Sequence, residues 1–295
     1  MNLAIRPLHL LLFVAVAAIW GLNFAVVKIG VAQFPPILLM TLRWALVGIV
    51  LTPFVKRPQG CWPQVIAVSI TLGFVHFALM ATGLKNLDAA TAAIAIQLQV
   101  PFAALLAAIF FDDRLGWRRA SGMAVAFLGV ALIAGEPRLG GHYLALGLVV
   151  AAACIWSIAN VQIKKLHAVG GFTLNAWVGI LAAPQLALAS FVLEDGQMTA
   201  LATADWRGWF SVFYQVVMVV IIGYGSWYWL LRRYGVNQVM AFTLLVPIFG
   251  VLSGVVILGE ALTASLVAGG ALTVVGVGII VLRRPRLVEP DAERV

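Results

Sequence analysis

The sequence has few charged residues and only two cysteines. Charged side chains make up 10% of its 295 residues, 63% of the residues are hydrophobic and the mean hydropathy is +1.05. Soluble domains carry roughly 25% charged residues, so a water-soluble domain of this length is excluded. Cys61 in a predicted loop and Cys154 within a predicted membrane span are too few and too far apart for a disulfide framework.

Acidic residues are missing from the centre of every predicted membrane span. All eleven Asp and Glu residues fall in predicted loops, at span ends or in the C-terminal tail. Charged groups inside a bilayer are rare and mark ion or substrate pathways, so an exporter of lipophilic cations driven by proton antiport is expected to bury a carboxylate. The sequence therefore argues against cationic drugs as substrates and against proton coupling through a carboxylate.

What the chain does contain is ten long apolar segments, and most reach the ~20 residues that cross a bilayer core. Since the backbone must satisfy its own hydrogen bonds in lipid, we predict an all-α integral membrane protein with ten transmembrane helices. The N-terminal apolar run exceeds the length of a signal-peptide core and is taken as the first span. The predicted spans are Leu8–Val31, Pro36–Val55, Pro63–Leu84, Ala89–Phe111, Trp117–Gly135, Tyr143–Leu166, Phe172–Leu193, Gly208–Leu231, Gln238–Leu258 and Ala264–Leu282.

Positive charge is concentrated on one side of these spans. If the N-terminus is cytoplasmic, fourteen Lys and Arg residues lie in inside loops and tails, and three, Lys85, Arg138 and Arg207, lie outside. This distribution follows the positive-inside rule and predicts that both termini are cytoplasmic (N-in/C-in). It also accounts for the net charge of +8 without a nucleic-acid partner.

The two halves of the chain repeat the same short motifs in the same order. Because each half carries five spans, an odd number, the second copy is expected to enter the membrane upside down. We predict two inverted five-helix repeats, 1–139 and 140–285, and a cytoplasmic tail, 286–295. Inverted repeats are the framework of many secondary transporters, with the substrate site at mid-membrane between them. The repeated motifs are Trp20…Lys28 and Trp156…Lys164, Val100-Pro101 and Val246-Pro247, Asp113-Arg114-Leu115 and Glu260-Ala261-Leu262, and Gly122…Gly129-Val130 and Gly269…Gly276-Val277.

A few polar and aromatic side chains within the spans are candidates for substrate binding, because such groups face either a partner or a water-filled cavity. Trp20 and Asn23 share a face of the first span, and the sixth span repeats this pair. His76 is either a neutral structural residue or a group that handles substrate or protons, since its ordinary pKa lies near neutrality. Packing between helices is the alternative role for each of these side chains. The candidates are Trp20, Asn23, His76, Gln97, Gln99, Trp156, Asn160 and Trp227, the last of which could form an aromatic wall with Tyr224.

Pro101 and Pro247 interrupt the fourth and ninth spans at matching positions. A proline removes a backbone donor and frees the carbonyl four residues earlier. Paired breaks of this kind point to a transporter site, so both residues are predicted helix breaks or hinges, and a packing kink is the alternative. Gln97 and Gln99 are two positions apart and are expected on nearly opposite helix faces, so that at most one points squarely into a cavity.

Lys28 and Arg43 lie near the predicted outer ends of the first two spans. Snorkelling towards the headgroups is the expected behaviour of both side chains. The alternative is that Arg43 faces the outer mouth of a cavity and binds a carboxylate through two hydrogen bonds.

Taken together, these motifs resemble the drug/metabolite transporter superfamily, EamA type. The likeness covers nearly the whole chain and is closest to amino-acid exporters of the O-acetylserine/cysteine and aromatic amino-acid (YddG) types. It implies a bacterial inner-membrane exporter with a central cavity between spans 1, 3, 4, 6, 8 and 9. The first-span glutamate of the small multidrug members has no counterpart here. The motifs are Trp20-Gly21-Leu22-Asn23, Leu42-Arg43-Trp44, Gln97, Gln99 and Pro101 in the fourth span, and Gly259-Glu260-Ala261-Leu262.

We therefore predict an exporter of amino acids or closely related metabolites, with apolar, aromatic or cysteine-pathway side chains, working by alternating access as facilitated diffusion or exchange. The expected partners are a small-molecule substrate and the lipid bilayer, and a duplicated chain can form a complete pathway as a monomer. No catalytic residue, metal or cofactor is predicted. The alternatives are an exporter of neutral or lipophilic drugs or other metabolites and, more distantly, an integral-membrane enzyme, for which no cluster of nucleophile, base or metal ligands is found.

Overall fold

The computed structural model describes residues 6–110, 116–136, 141–166, 169–234 and 236–282, with the side chains of 236–238 excepted. Within these ranges every regular element is helical, and ten helices are long and apolar enough to cross a membrane. The predicted turn at 113–115 and the tail 286–295 lie outside the described residues. The ten helices are α1 (Pro7–Gln33), α2 (Pro36–Phe54), α3 (Trp62–Asn86), α4 (Ala89–Phe110), α5 (Trp117–Ala134), α6 (Tyr143–Lys164), α7 (Gly171–Leu193), α8 (Trp206–Arg233), α9 (Val239–Leu258) and α10 (Ala264–Val281).

The all-α prediction of ten spans is confirmed, and most helix ends fall within two residues of the predicted ones. One difference lies between α7 and α8, where the predicted loop contains a short helix, Gln197–Thr203. A second is that α8 begins at Trp206, before the predicted start. The Asp205 carboxylate accepts hydrogen bonds from the backbone N–H groups of Arg207 at 2.8 Å and Gly208 at 3.3 Å, and so caps the helix N-terminus.

The helices of the two halves pack against one another in a reciprocal pattern. α1 contacts α8 and α9, which are the third and fourth helices of the second half. In the same way α6 contacts α3 and α4, the third and fourth helices of the first half, while α2 pairs with α7 and α5 with α10. Such reciprocity, in which i meets j and j meets i, is the pattern that a twofold relation between two units produces.

Glycines set the close approach of α5 and α10. A Cβ atom added at Gly122 would lie 2.8 Å from the carbonyl oxygen of Gly276, and one added at Gly269 would lie 2.5 Å from that of Gly129. Both separations are below a van der Waals contact, so these backbones can approach only because the side chains are absent. The pairs 122 with 276 and 129 with 269 are again reciprocal.

Irregular helical turns recur in both halves and face the centre of the bundle. A 3₁₀ turn comes just before Pro101 in α4 and just before Pro247 in α9, because proline cannot donate to the preceding turn and its ring crowds it. π-helical turns, which occur frequently at functional sites, interrupt α3 and α8. The 3₁₀ turns are Ile96–Leu98 and Phe242–Leu244, and the π segments are Ser69–His76 and Gln215–Tyr224.

Lys28 was predicted to snorkel towards the headgroups, but in the structure its side chain caps a helix. Its ammonium group donates to the carbonyl oxygens of Leu84 at 2.9 Å, Lys85 at 3.0 Å and Leu87 at 2.9 Å, where α3 ends. The free carbonyl groups of a helix C-terminus attract a cation, which accounts for this position of the ammonium group. The end of the bundle at which α1 finishes is called the Lys28 end below, and the opposite end the Arg119 end.

Two carboxylates tie further helix termini together at the Lys28 end. Glu260 accepts hydrogen bonds from the first two backbone N–H groups of α4, at 2.6 and 2.9 Å. Glu194 accepts from the backbone N–H groups of Ile37 at 2.7 Å and Leu38 at 3.0 Å, near the start of α2. Carboxylates stabilise helix N-termini in this way, and both contacts join the second half of the chain to the first.

Candidate substrate cavity

A cavity of about 650 Å³ lies in the centre of the bundle. This volume is within the range of ~300–1,000 Å³ found for small-molecule sites. The cavity extends to the Arg119 end, where Arg119, Met240 and Val281 contribute to its lining. Towards the Lys28 end it stops at Leu84, whose side chain is 1% exposed and lies next to the Lys28 cap.

All eight candidate residues from the sequence line this one cavity, so the fold brings side chains from α1, α3, α4, α6 and α8 together. Their role in binding a substrate stays a prediction. The eight are Trp20, Asn23, His76, Gln97, Gln99, Trp156, Asn160 and Trp227.

Gln97 and Gln99 are predicted on nearly opposite helix faces, with at most one pointing squarely into a cavity, and which of them does so stays a prediction. Both residues line the cavity, and the chain between them forms the 3₁₀ turn of α4. With three residues per turn, positions two apart differ by about 120° around the helix axis, compared with about 160° in an α-helix. The carbonyl oxygen of Gln99 accepts a hydrogen bond from the Ser157 hydroxyl at 2.7 Å.

Aromatic rings form one wall of the cavity. The ring centre of Trp20 in α1 lies 5.1 Å from that of Trp227 and 5.3 Å from that of Tyr224, both in α8. Tyr224 in turn stacks on Tyr228 with ring centres 6.0 Å apart. This aromatic wall (Trp20, Tyr224 and Trp227) offers apolar surface and, on ring faces, a weak attraction for cations.

A second part of the lining, called the polar wall below, is formed around His76, which is 4% exposed. Its Nδ1 atom lies 2.9 Å from the carbonyl oxygen of Ala152. Because a carbonyl oxygen only accepts hydrogen bonds, Nδ1 carries the proton, and in the neutral ring Nε2 is then an acceptor. The imidazole packs against Trp156 and Phe77, with ring centres 4.9 and 4.7 Å away.

Arg43 is buried beside this wall. The prediction that its side chain snorkels to the membrane surface is wrong. Its side chain is 2% exposed, and its guanidinium carbon lies 4.2 Å from the ring centre of Phe77 and 5.4 Å from that of Trp44. Nη1 makes a long contact of 3.5 Å to Oε1 of Gln215. Among the described residues, Nε has no hydrogen-bond partner and no carboxylate pairs with the guanidinium.

The two asparagines of the repeated motif differ in their surroundings. Asn23 is half-buried, and its Oδ1 atom has no hydrogen-bond partner among the described residues. Asn160 is exposed and also lines the cavity. A buried acceptor without a donor is unfavourable unless a ligand or water supplies one, so Asn23 is the stronger candidate for a direct contact with a bound molecule.

The apolar part of the lining was not predicted residue by residue. Val27, Met40, Phe77, Met80 and Ala104 all face the cavity. Their residue types are the same as those of the lipid-facing positions, so no sequence signal separates the two sets. Within the part of the chain that the structure describes, no group of three His, Cys, Asp or Glu residues is arranged to hold a metal ion.

Comparison with known proteins identifies two segments of one family. The model of the EamA-like transporter family matches residues 7–135 and 143–282. A Salmonella typhimurium (strain LT2) protein called probable amino-acid metabolite efflux pump is 34% identical, covering 90% of this chain and 91% of its own length. The protein of the same name from Escherichia coli K12 is 32% identical over the same shares of both chains.

Two further similarities are more distant. A protein of Streptantibioticus cattleyicolor called probable terminal-alkyne amino-acid exporter is 27% identical, covering 88% of this chain and 89% of its own. A solved structure, titled only as the crystal structure of a protein, superposes with a TM-score of 0.63 at 22% identity, covering 94% of this chain and 98% of the other. This last similarity concerns the fold alone.

Proposed function

Because this chain belongs to the EamA-like transporter family, we propose that its central cavity is the site through which it exports amino acids or closely related metabolites. The protein is a multi-pass transporter of the bacterial inner membrane. The observation that carries the proposal is the joint presence of amide, imidazole and indole groups in one cavity of suitable size.

The substrate class follows from the chemistry of the lining. Side-chain amides such as those of Gln97 and Gln99 both donate and accept hydrogen bonds, which suits a molecule that carries an ammonium and a carboxylate group. The aromatic wall suits an apolar or aromatic side chain. Relatives named as amino-acid metabolite efflux pumps and as a terminal-alkyne amino-acid exporter support the same class.

The mechanism we propose is alternating access between two inverted repeats, 1–139 and 140–285, with both termini in the cytoplasm. In that orientation the cavity extends towards the cytoplasm at the Arg119 end, and the caps made by Lys28 and Glu260 close the periplasmic side. Pro101 and Pro247 would serve as hinges, since each follows a 3₁₀ turn that lines the cavity. The reciprocal helix pairing supports the twofold relation that this mechanism needs.

We propose that transport is facilitated diffusion or exchange. We also propose that the protein has no enzymatic activity. The carboxylates of Glu260 and Glu194 bind backbone N–H groups at helix ends and do not reach the cavity lining. A carboxylate that alternately binds proton and substrate is therefore not among the described lining residues. His76 is the cavity group that could still couple transport to protons.

Uptake of radiolabelled amino acids into proteoliposomes without an ion gradient tests the function. We expect saturable uptake that falls in Trp156→Ala, because this change removes a cavity wall, and that persists in Trp206→Ala, where the deleted ring is 71% exposed. No flux of any amino acid would overturn the proposal. A parallel panel of neutral and cationic dyes covers the alternative of a drug exporter.

The orientation is tested separately with the native cysteines. In Cys154→Ser the remaining thiol, Cys61, lies between α2 and α3 at the Arg119 end. A membrane-impermeant maleimide should label it in inside-out vesicles and not in intact spheroplasts. Met198→Cys in a cysteine-free background is the matched control, because Met198 is 79% exposed at the Lys28 end and should show the opposite pattern.

A further inference from the structure

We propose that Arg43 is the carboxylate-binding residue of the cavity and restricts transport to molecules with a free carboxylate group. This inference rests on the proposed export function and deepens it. It commits the substrate class to amino acids and related carboxylic acids, as opposed to their amides, esters or amines.

The first step is the electrostatic state of Arg43. A guanidinium group stays protonated in proteins, and burying a charge is unfavourable unless an opposite charge or hydrogen-bond acceptors compensate it. Arg43 is 2% exposed, yet its partners among the described residues are one long contact to Gln215 and the faces of two aromatic rings. The side chain therefore has unmet capacity to bind an anion.

The second step is the position of the side chain. Arg43 lines the cavity, and the ring of Phe77, 4.2 Å from its guanidinium carbon, holds it in place. Gln215 is itself oriented, because its Nε2 donates to the carbonyl oxygen of Ser211 at 3.2 Å and leaves Oε1 towards Nη1. The planar fork of an arginine matches a carboxylate through two parallel hydrogen bonds. Here Nε of that fork is buried and has no hydrogen-bond partner among the described residues.

The third step is a buried acceptor that also lacks a partner. Asn23 lines the same cavity, and its buried Oδ1 atom lacks a donor among the described residues. An ammonium group has three donors and no acceptor, so it would satisfy this atom. Arg43 would bind the carboxylate of a zwitterion and Asn23 its ammonium group. The aromatic wall would then contact the side chain of the substrate.

The substrate analogue experiment needs no variant. Proteoliposome uptake is compared between the best-transported of L-phenylalanine, L-tryptophan, L-leucine, L-methionine and L-cysteine and the carboxamide of the same amino acid. Losing a charge-assisted hydrogen-bond pair corresponds to a factor of at least about ten, so we expect the amide to be transported at least about tenfold less efficiently. Equal transport of acid and amide would overturn the role of Arg43 while leaving the export function intact.

The residue itself is then tested by substitution. Arg43→Gln should reduce the preference for the acid to about threefold or less, because the charge-assisted pair that distinguishes acid from amide is lost. Arg43→Lys, which keeps the charge but not the fork, should retain part of it. Arg207→Gln is the matched control, since that arginine is exposed at the Lys28 end. An unchanged preference in Arg43→Gln would assign carboxylate recognition to another group.

A binding measurement separates this inference from the export function. The thermal stability of the purified wild-type protein is recorded with phenylacetate, which has only the carboxylate, and with phenethylamine, which has only the amine. We expect stabilisation by phenylacetate that exceeds that by phenethylamine and is absent in Arg43→Gln. Stabilisation by phenylacetate without any amino-acid flux would support the anion site and contradict export, whereas no stabilisation by phenylacetate would contradict the anion site.

Discussion

Each half of the chain carries a tryptophan followed by an asparagine one helical turn later, yet the two pairs have different surroundings. Trp20 packs against the aromatic rings of Tyr224 and Trp227, and Asn23 beside it is half-buried. Trp156 packs against His76, and its neighbour Asn160 is exposed in the cavity lining.

The two halves share their helix packing but differ in the side chains that line the cavity. The reciprocal contacts of α5 with α10 and of α2 with α7 are shared by both halves and depend on small residues and backbone approach. The cavity walls are not shared, because α3 contributes His76 where α8 contributes Tyr224 and Trp227. A duplicated scaffold can thus hold an asymmetric substrate, with a polar wall for one part of it and an aromatic wall for another.

The largest expected effect concerns the shared scaffold. In Gly129→Ala the new Cβ would lie 2.5 Å from the carbonyl oxygen of Gly269, so α5 and α10 must separate. We expect a loss of stability of about 1–3 kcal/mol, the usual effect of overpacking, and by reciprocity a similar loss in Gly269→Ala. Thermal melting of the purified protein, followed by fluorescence-detected size exclusion, measures both.

The matched control for this prediction is Gly147→Ala in α6, where an added Cβ meets no atom within 4 Å. Its melting temperature should stay at the wild-type value or rise, because alanine is the better helix former. A large loss in Gly129→Ala with none in Gly269→Ala would show that the two halves do not share the scaffold equally.

A smaller effect is expected at the polar wall. His76→Ala removes the hydrogen bond to Ala152, worth about 1 kcal/mol, and should lower transport about fivefold. His76→Asn can still donate to that carbonyl and should keep more activity.

The same variant tests proton coupling. If transport is uncoupled from protons, neither the wild type nor His76→Asn needs a pH gradient for uptake. A wild type that requires a pH gradient, and a His76→Asn variant that does not, would make His76 the coupling group.

The smallest effect distinguishes the two asparagines. Asn23→Ala removes an acceptor that we expect a substrate to use, so the KM for uptake should rise about twofold to threefold. Thermal stability should change little, because Oδ1 has no protein partner among the described residues. Asn160→Ala should change KM less, since that side chain is exposed. Equal effects of the two substitutions would remove the asymmetry inferred for the cavity.

Much of this architecture could be predicted from residue type and order. Apolar run length marks the ten spans, because the bilayer sets a minimum helix length and leaves the backbone no other way to form its hydrogen bonds. The candidate side chains were also identifiable, since polar and indole groups stand out within apolar helices. Their arrangement in one cavity agrees with that selection, while their function in binding stays a prediction.

Other features could not be predicted because they depend on contacts between distant segments. Lys28 was expected at the headgroups, yet the carbonyl groups that end α3 lie within 3.0 Å of it. The angle between Gln97 and Gln99 was predicted for an α-helix, whereas the chain between them forms a 3₁₀ turn. The π segments of α3 and α8, which end at His76 and Tyr224, were not predicted either.

By itself the sequence determined the membrane environment, the number of helices and the duplication, because hydrophobicity, length and repetition are properties of the chain read in order. Only the tertiary structure decided which polar atoms are buried without a hydrogen-bond partner. Arg43 and Asn23 look like ordinary polar residues of two apolar helices, and their unmet hydrogen-bonding capacity exists only because the neighbouring helices exclude other partners from them. We expect these two residues to determine which substrates the protein selects.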